Sequence, residues 1–280
     1  MNELEELENA AEAILTGTYD PNKDYYFDAG ESFDQPLPEG FVCEKFSGGK
    51  RFNQRLPEGF VCEGDFNCGY SFNQPLPEGF ICGDYFWCGT SFNQPLPEGF
   101  GCVGNFYCGK SFNQTLPKGL ECKSFNCGDL FNQPLPEGFH CRGEFHCGKS
   151  FNQPLPEGFQ SHGDFWCGTS FNQRLPEGFI CGGLFYCGVI FNQPLPEGFK
   201  CGEFDCAISF NQPLPEGFEC LGNFDSGVVF NQPLPERFRC EEFACGDSFN
   251  QPLPDGFKCD SFYVNIQFTY PIPETLNLIK

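Results

Sequence analysis

The chain has 280 residues, with 16 Lys and Arg against 38 Asp and Glu and a formal net charge of −22. So acidic a surface repels phosphate backbones and anionic lipid, which argues against nucleic acid or a membrane as partner. Twenty cysteines in a chain this long do not fit the short secreted disulfide scaffold, so their meaning must come from their positions.

The N-terminal stretch MNELEELENAAEAILTG has neither a basic n-region nor an apolar h-region, and no segment reaches about 18 consecutive apolar residues. A cytoplasmic location is expected, with a virion as the alternative. Residues 2–15 are predicted to form a short acidic helix, with Asn2 as N-cap, early glutamates facing the helix dipole and Gly17 as the stop. Residues 1–31 are read as an N-terminal cap.

From Ser32 onward the chain repeats itself. SFNQPLPEGF stands at 71–80 and again at 91–100, and near copies begin at Phe33, Phe52, Phe72, Phe92, Phe112, Phe131, Phe151, Phe171, Phe191, Phe210, Phe230 and Phe249, making twelve units of 19 or 20 residues. Fixed periods of this kind mark stacked repeat architectures. The length varies at one place: longer units read C-x-G-x-F, as in CEGDF at 62–66, and shorter ones C-x-x-F, as in CKSF at 122–125. A site that tolerates deletion is expected to be an exposed turn.

An F-x-C triplet lies on either side of that turn, as in Phe60-Val61-Cys62 and Phe66-Asn67-Cys68. Two-residue alternation predicts a very short strand with Phe and Cys inward and the middle residue outward. The linking NQPLPEG cannot be helical and is read as an extended, turning path. Its glycine suits a positive φ, although Arg237 occupies that column once. Three columns account for 36 of the 37 Phe, leaving out Phe27. One unit is too small to bury a core of its own, so parallel stacking of units is what creates one. The expected fold is mostly β: an LRR-like β-solenoid of about twelve repeats over 32–261, with a short N-terminal helical cap. Residues 262–280 keep the register but lose the Cys and FNQ signatures, and are read as the C-terminal cap.

FNQPLPEGF followed by F-x-C-G-x-S-FNQPL resembles the FNIP family of leucine-rich-like repeats over about residues 32–270. That family occurs in social amoebae and in the large DNA viruses that infect amoebae. The resemblance implies an intracellular interaction repeat.

All the cysteines fall in two columns. The column before the turn includes Cys62, Cys82, Cys102, Cys141 and Cys181, with Ser161 in one gap; the column after it includes Cys68, Cys88, Cys108, Cys147 and Cys187. Cys43, Cys167, Cys220 and Cys259 have no partner in their own unit, which favours compact buried thiols over obligate disulfides. Disulfides within or between units and metal ligation remain as alternatives. The C-x5-C and C-x4-C spacings lack the C-x2-C knuckle of structural zinc, and His140 and His146 alternate with their cysteines.

The Asn and Gln of each FNQ are expected to stack as amide ladders. Glu58, Glu78, Glu98, Glu137, Glu157, Glu177, Glu197 and Glu216 form a like-charged column, read as a solvated rim. Its sharper reading is a strip for basic partners or divalent cations. Outward positions vary while their surroundings are copied, and they carry Trp87, Tyr107, His146, Trp166 and Tyr186 after the turn and Val61, Ile81 and Ile180 before it. Such a stripe fits a protein contact surface, although aromatic and β-branched residues also simply suit strands. No catalytic residue, metal site or cofactor is expected, because polar groups recur as columns instead of converging. The leading expectation is a non-enzymatic scaffold whose partner is another protein. A self-assembling building block, possessing itself as partner in an oligomer or virion lattice, is the alternative, and a redox or metal store is a third class.

Overall fold

A computed structural model describes residues 8–273 and 278–279. The chain divides into two compact units, residues 1–140 and 141–280. Each is a β-solenoid of short parallel strands.

In the first unit, β1 (Glu8–Asn9) leads into α1 (Ala10–Thr16), and β2 (Tyr25–Asp28) pairs with β1 in parallel. The helix starts later than expected. Asn9 is its N-cap, accepting from Ala11 N–H, and Glu8 and Asn9 pair as strand. The expected Asn2 cap lies outside the described residues. Gly17 ends the helix in the left-handed region at φ 74°, as its sequence position suggests.

The first repeat unit then supplies β3 (Val42–Cys43) and β4 (Lys45–Ser47). Later rungs of this unit add to a ladder after the turn, and those up to Cys102 also to a ladder before it. The ladder after the turn runs in register through Phe27, Phe46, Phe66, Phe86, Phe106 and Phe125. The ladder before it pairs Cys43 with Cys62, Cys62 with Cys82 and Cys82 with Cys102. Phe27, which the repeat pattern leaves out, therefore opens a Phe column, one rung ahead of the recognisable repeats.

The second unit repeats the plan. Its ladder after the turn joins Phe145, Phe165, Phe185, Phe204, Phe224, Phe243 and Phe262. The strand at Ser261–Tyr263 also pairs with Leu278–Ile279, so the register continues into the C-terminal segment.

The core is the set of Phe columns, packed as offset stacks along each column and edge to face between columns. Phe72 and Phe92 stack at 6.0 Å and 9°, Phe60 and Phe80 at 6.0 Å and 10°, whereas Phe66 meets Phe80 at 5.0 Å and 75°. Both arrangements suit the quadrupole of the ring. Leu76, Leu116 and Leu175 of the linking segment are buried as well.

Each PEGF segment is a four-residue turn. Phe60 N–H bonds Pro57 O at 3.3 Å and Phe179 N–H bonds Pro176 O at 3.2 Å. Its third residue holds a positive φ, 72° at Gly59 and 59° at Arg237, the demand of a type II turn. Arg237 departs from the glycine column in residue type while keeping its backbone.

Candidate functional site

The inward groups fasten each rung to itself and to its neighbours. In the longer units the thiol before the turn caps the corner: Cys62 donates to Asp65 O at 3.2 Å, and Cys82 to Tyr85 O at 2.9 Å and to Gly64 O of the preceding rung at 3.2 Å. Ser161 makes the same set, donating to Asp164 O at 2.9 Å and within reach of Gly143 O at 3.0 Å. A hydroxyl can stand in this column because the position needs a short side chain with one donor. Where the unit is one residue shorter, the third residue on is the buried Phe, and the thiol turns to the next rung. Cys43 then donates to Val61 O at 3.9 Å and Cys201 to Glu219 O at 3.8 Å. These residues are thiols rather than half-cystines.

The column after the turn is drier. Cys68, Cys88, Cys108, Cys167 and Cys187 are fully buried, and burial pushes each thiol well above its ordinary pKa. Such thiols are poor nucleophiles and poor ligands. Burial raises Cys181 to about 12, with hydrogen bonds from Gly183 and Phe165 opposing it. Cys141 and Cys147 are buried as well. Ser226, which replaces a cysteine of this column, is buried and accepts from Gly246 N–H at 2.6 Å.

The amide ladder differs from its expected form. Asn53 Oδ1 accepts from the backbone N–H of Asn73 at 2.9 Å and from Gln74 Nε2 at 3.3 Å. Asn73 does the same for the next rung, as do Asn93, Asn172 and Asn192. The FNQPL segment is not a strand, so its N–H groups lack a strand partner and the asparagine carbonyl takes that part. These side chains are structural acceptors between rungs.

The eight glutamates of the rim column are all exposed, each at the second position of its PEGF turn. Among the described residues no group of three or more His, Cys, Asp or Glu could hold a metal ion, and no helix is long and apolar enough to cross a membrane. His140 is exposed and His146 half-buried, while Cys141 and Cys147 point inward.

The outward columns hold the predicted contact residues. In the first unit Val61, Ile81 and Trp87 are exposed, and Tyr107 is half-buried because it stacks on Tyr85 at 6.1 Å and 2°. In the second, Ile180 is exposed, while His146, Trp166 and Tyr186 are half-buried in one stack. His146 lies over Trp166 at 5.5 Å and 7°, and Trp166 meets Tyr186 at 5.0 Å and 43°. Glu144 bonds His146 at 3.2 Å from below, and Trp166 Nε1 is buried without a hydrogen-bond partner. Packing against neighbouring rings thus takes precedence over satisfying that donor.

Three features escaped the sequence reading. Outward Asn67, Asn126, Asp205 and Asp225 bend back to accept the N–H two residues on, at 2.7–2.8 Å, a local turn that small acidic or amide side chains favour. An open groove of about 420 Å³ runs past Asp164, Leu184, Glu203, Leu221 and Glu241. The third is a run of exposed aliphatics at Val189, Ile190, Ile208, Val228 and Val229. Aligning the residues just before each FNQ would have found it, since most units carry Ser there. No protein-family model, curated protein or solved structure matches the chain.

Proposed function

We propose that the chain is a non-enzymatic repeat scaffold that binds other proteins through its outward strand columns. Trp87, Tyr107, Val61 and Ile81 carry this face in the first unit, and His146, Trp166, Tyr186 and Ile180 in the second. One contrast supports the reading. Inward Phe, Cys and Asn columns are nearly copied from rung to rung because they hold the stack together, whereas outward residues differ although no inward contact depends on them. Variable side chains on a fixed frame are how repeat proteins vary what they bind. The FNQPL core, with its resemblance to FNIP interaction repeats, supports the same reading and a cytoplasmic setting.

The test is affinity capture with wild type and with a Trp87→Ser/Trp166→Ser variant. A protein held by wild type should fall at least tenfold in yield with the variant, whose melting temperature should stay within a few degrees of wild type. Equal capture by both would remove the outward columns from the binding face.

A further inference from the structure

The corner before FNQ carries a serine in eight of the twelve units, and in four of them it has the same job. Its serine donates to the backbone of the preceding rung: Ser71 to Lys50 O, Ser91 to Tyr70 O, Ser111 to Thr90 O and Ser209 to Val189 O, each at 2.6 Å. In two of three successive rungs of the second unit that serine is absent. Ile190 and Val229 stand in its place, and with Val189, Ile208 and Val228 beside them they make a patch in which every member is at least 37% exposed. A rung-to-rung hydrogen bond has been given up twice for aliphatic side chains that face solvent. Folding gains nothing from that exchange, whereas a contact surface does.

The charge beside the patch says what would cover it. Asp205 and Asp225 are in-register neighbours on adjacent strands, about 4.8 Å apart by strand spacing. Each folds one oxygen onto its own corner, Asp205 to Ala207 N–H at 2.7 Å and Asp225 to Gly227 N–H at 2.8 Å. That puts both carboxylates against the turns that carry Ile208 and Val228. Their second oxygens take no donor among the described residues. Burial raises the pKa of Asp205; the Ala207 N–H opposes the rise and Asp225 adds to it. Tyr186 is the next residue in the same column. Like charges in register destabilise a sheet unless a cation joins them.

We propose that this corner docks a protein segment that presents an arginine between aliphatic side chains. The guanidinium would bridge Asp205 and Asp225 with its planar fork and stack on Tyr186, while its aliphatic neighbours cover Val189, Ile190, Ile208, Val228 and Val229. A second copy of the chain is a poor occupant, because two-fold pairing of this patch would set Asp205 and Asp225 against themselves. An anionic membrane is repelled by the same carboxylates, and a bare divalent cation would leave the aliphatic patch uncovered. The proposal rests on the scaffold reading and names one partner chemistry for it.

The probe is a fluorescein-labelled octapeptide alternating arginine with isoleucine, titrated by fluorescence anisotropy at low and physiological salt. A serine-for-isoleucine peptide and a glutamate-for-arginine peptide serve as controls. Saturable binding is expected for the first peptide, at least tenfold tighter than for either control. Asp205→Asn/Asp225→Asn and Ile190→Ser/Val229→Ser should each weaken it at least tenfold, and Glu12→Gln/Asp24→Asn, which removes the same charge elsewhere, less than twofold. The Ile190→Ser/Val229→Ser variant places there the serine that eight other units carry, so it should melt no lower than wild type and its loss of binding would not be misfolding. Equal weakening by the Glu12→Gln/Asp24→Asn control would reduce the effect to net charge and overturn the proposal, as would undiminished binding by Ile190→Ser/Val229→Ser. If wild type binds none of the peptides while capture still depends on Trp87 and Trp166, this inference falls and the scaffold reading stands.

Discussion

Arg237 holds a φ of 59° at a turn position where Gly59, Gly79 and Gly178 hold 72°, 68° and 70°. The conformation belongs to the turn, which must reverse the chain before the next inward Phe, so an L-residue there adopts it at a cost of about 1–2 kcal/mol. Arg237→Gly should therefore raise stability by about 1 kcal/mol, the extra freedom of glycine in the unfolded chain offsetting part of the gain. Urea unfolding followed by circular dichroism would check it, and a fall in the midpoint would show that the arginine side chain earns its place by some contact. Ala207, at φ 51°, meets the same demand after the second Phe. At this scale the glycine column was legible in the sequence, because few other requirements produce a glycine at a fixed place in nearly every unit. The carbonyls that receive the Cys62, Cys82 and Ser161 protons were not, since the direction of a main-chain oxygen depends on the corner geometry.

A rung combines two strands of two or three residues with a non-strand segment, and the two parts are held differently. Strand N–H groups find the next strand; those of the FNQPL segment find an asparagine. Asn93 Oδ1 accepts from Asn113 N–H at 2.9 Å and from Gln114 Nε2 at 3.1 Å. Asn93→Ala should leave both donors without this acceptor and cost about 1–3 kcal/mol. Asn93→Asp should lose much less, because Asp34 already serves Asn53 N–H and Gln54 in the first copy. Thermal melts of the two variants would decide it, and equal losses would mean that side-chain shape rather than the acceptor matters. The F-x-C alternation disclosed the strands, their inward faces and the turn between them. It missed the rung at Tyr25–Asp28, whose Ala29 stands where later units carry Cys or Gly. It also missed the patch at Val189–Val229, which lies past the triplets in a stretch read only as connection.

Taken over the whole chain, the atoms that hold the stack and those proposed for recognition are different. Phe rings, thiols and asparagine carbonyls join rung to rung, and the outward columns are left to vary. The stacked parallel architecture and the burial of the Phe and Cys columns followed from period and alternation, because a regular fold writes each contact many times. The proposed recognition surface is written once, at Trp87 or at Asp205 and Asp225, and a single occurrence carries no period to read. The central claim is that these outward surfaces serve a partner other than the chain itself. Static light scattering on the purified protein, from about 1 to about 500 μM, tests this most directly. A constant mass of 31.4 kDa is expected, since a net charge of −22 opposes self-association. A mass that grows with concentration toward large assemblies would contradict it and make the chain a self-assembling building block.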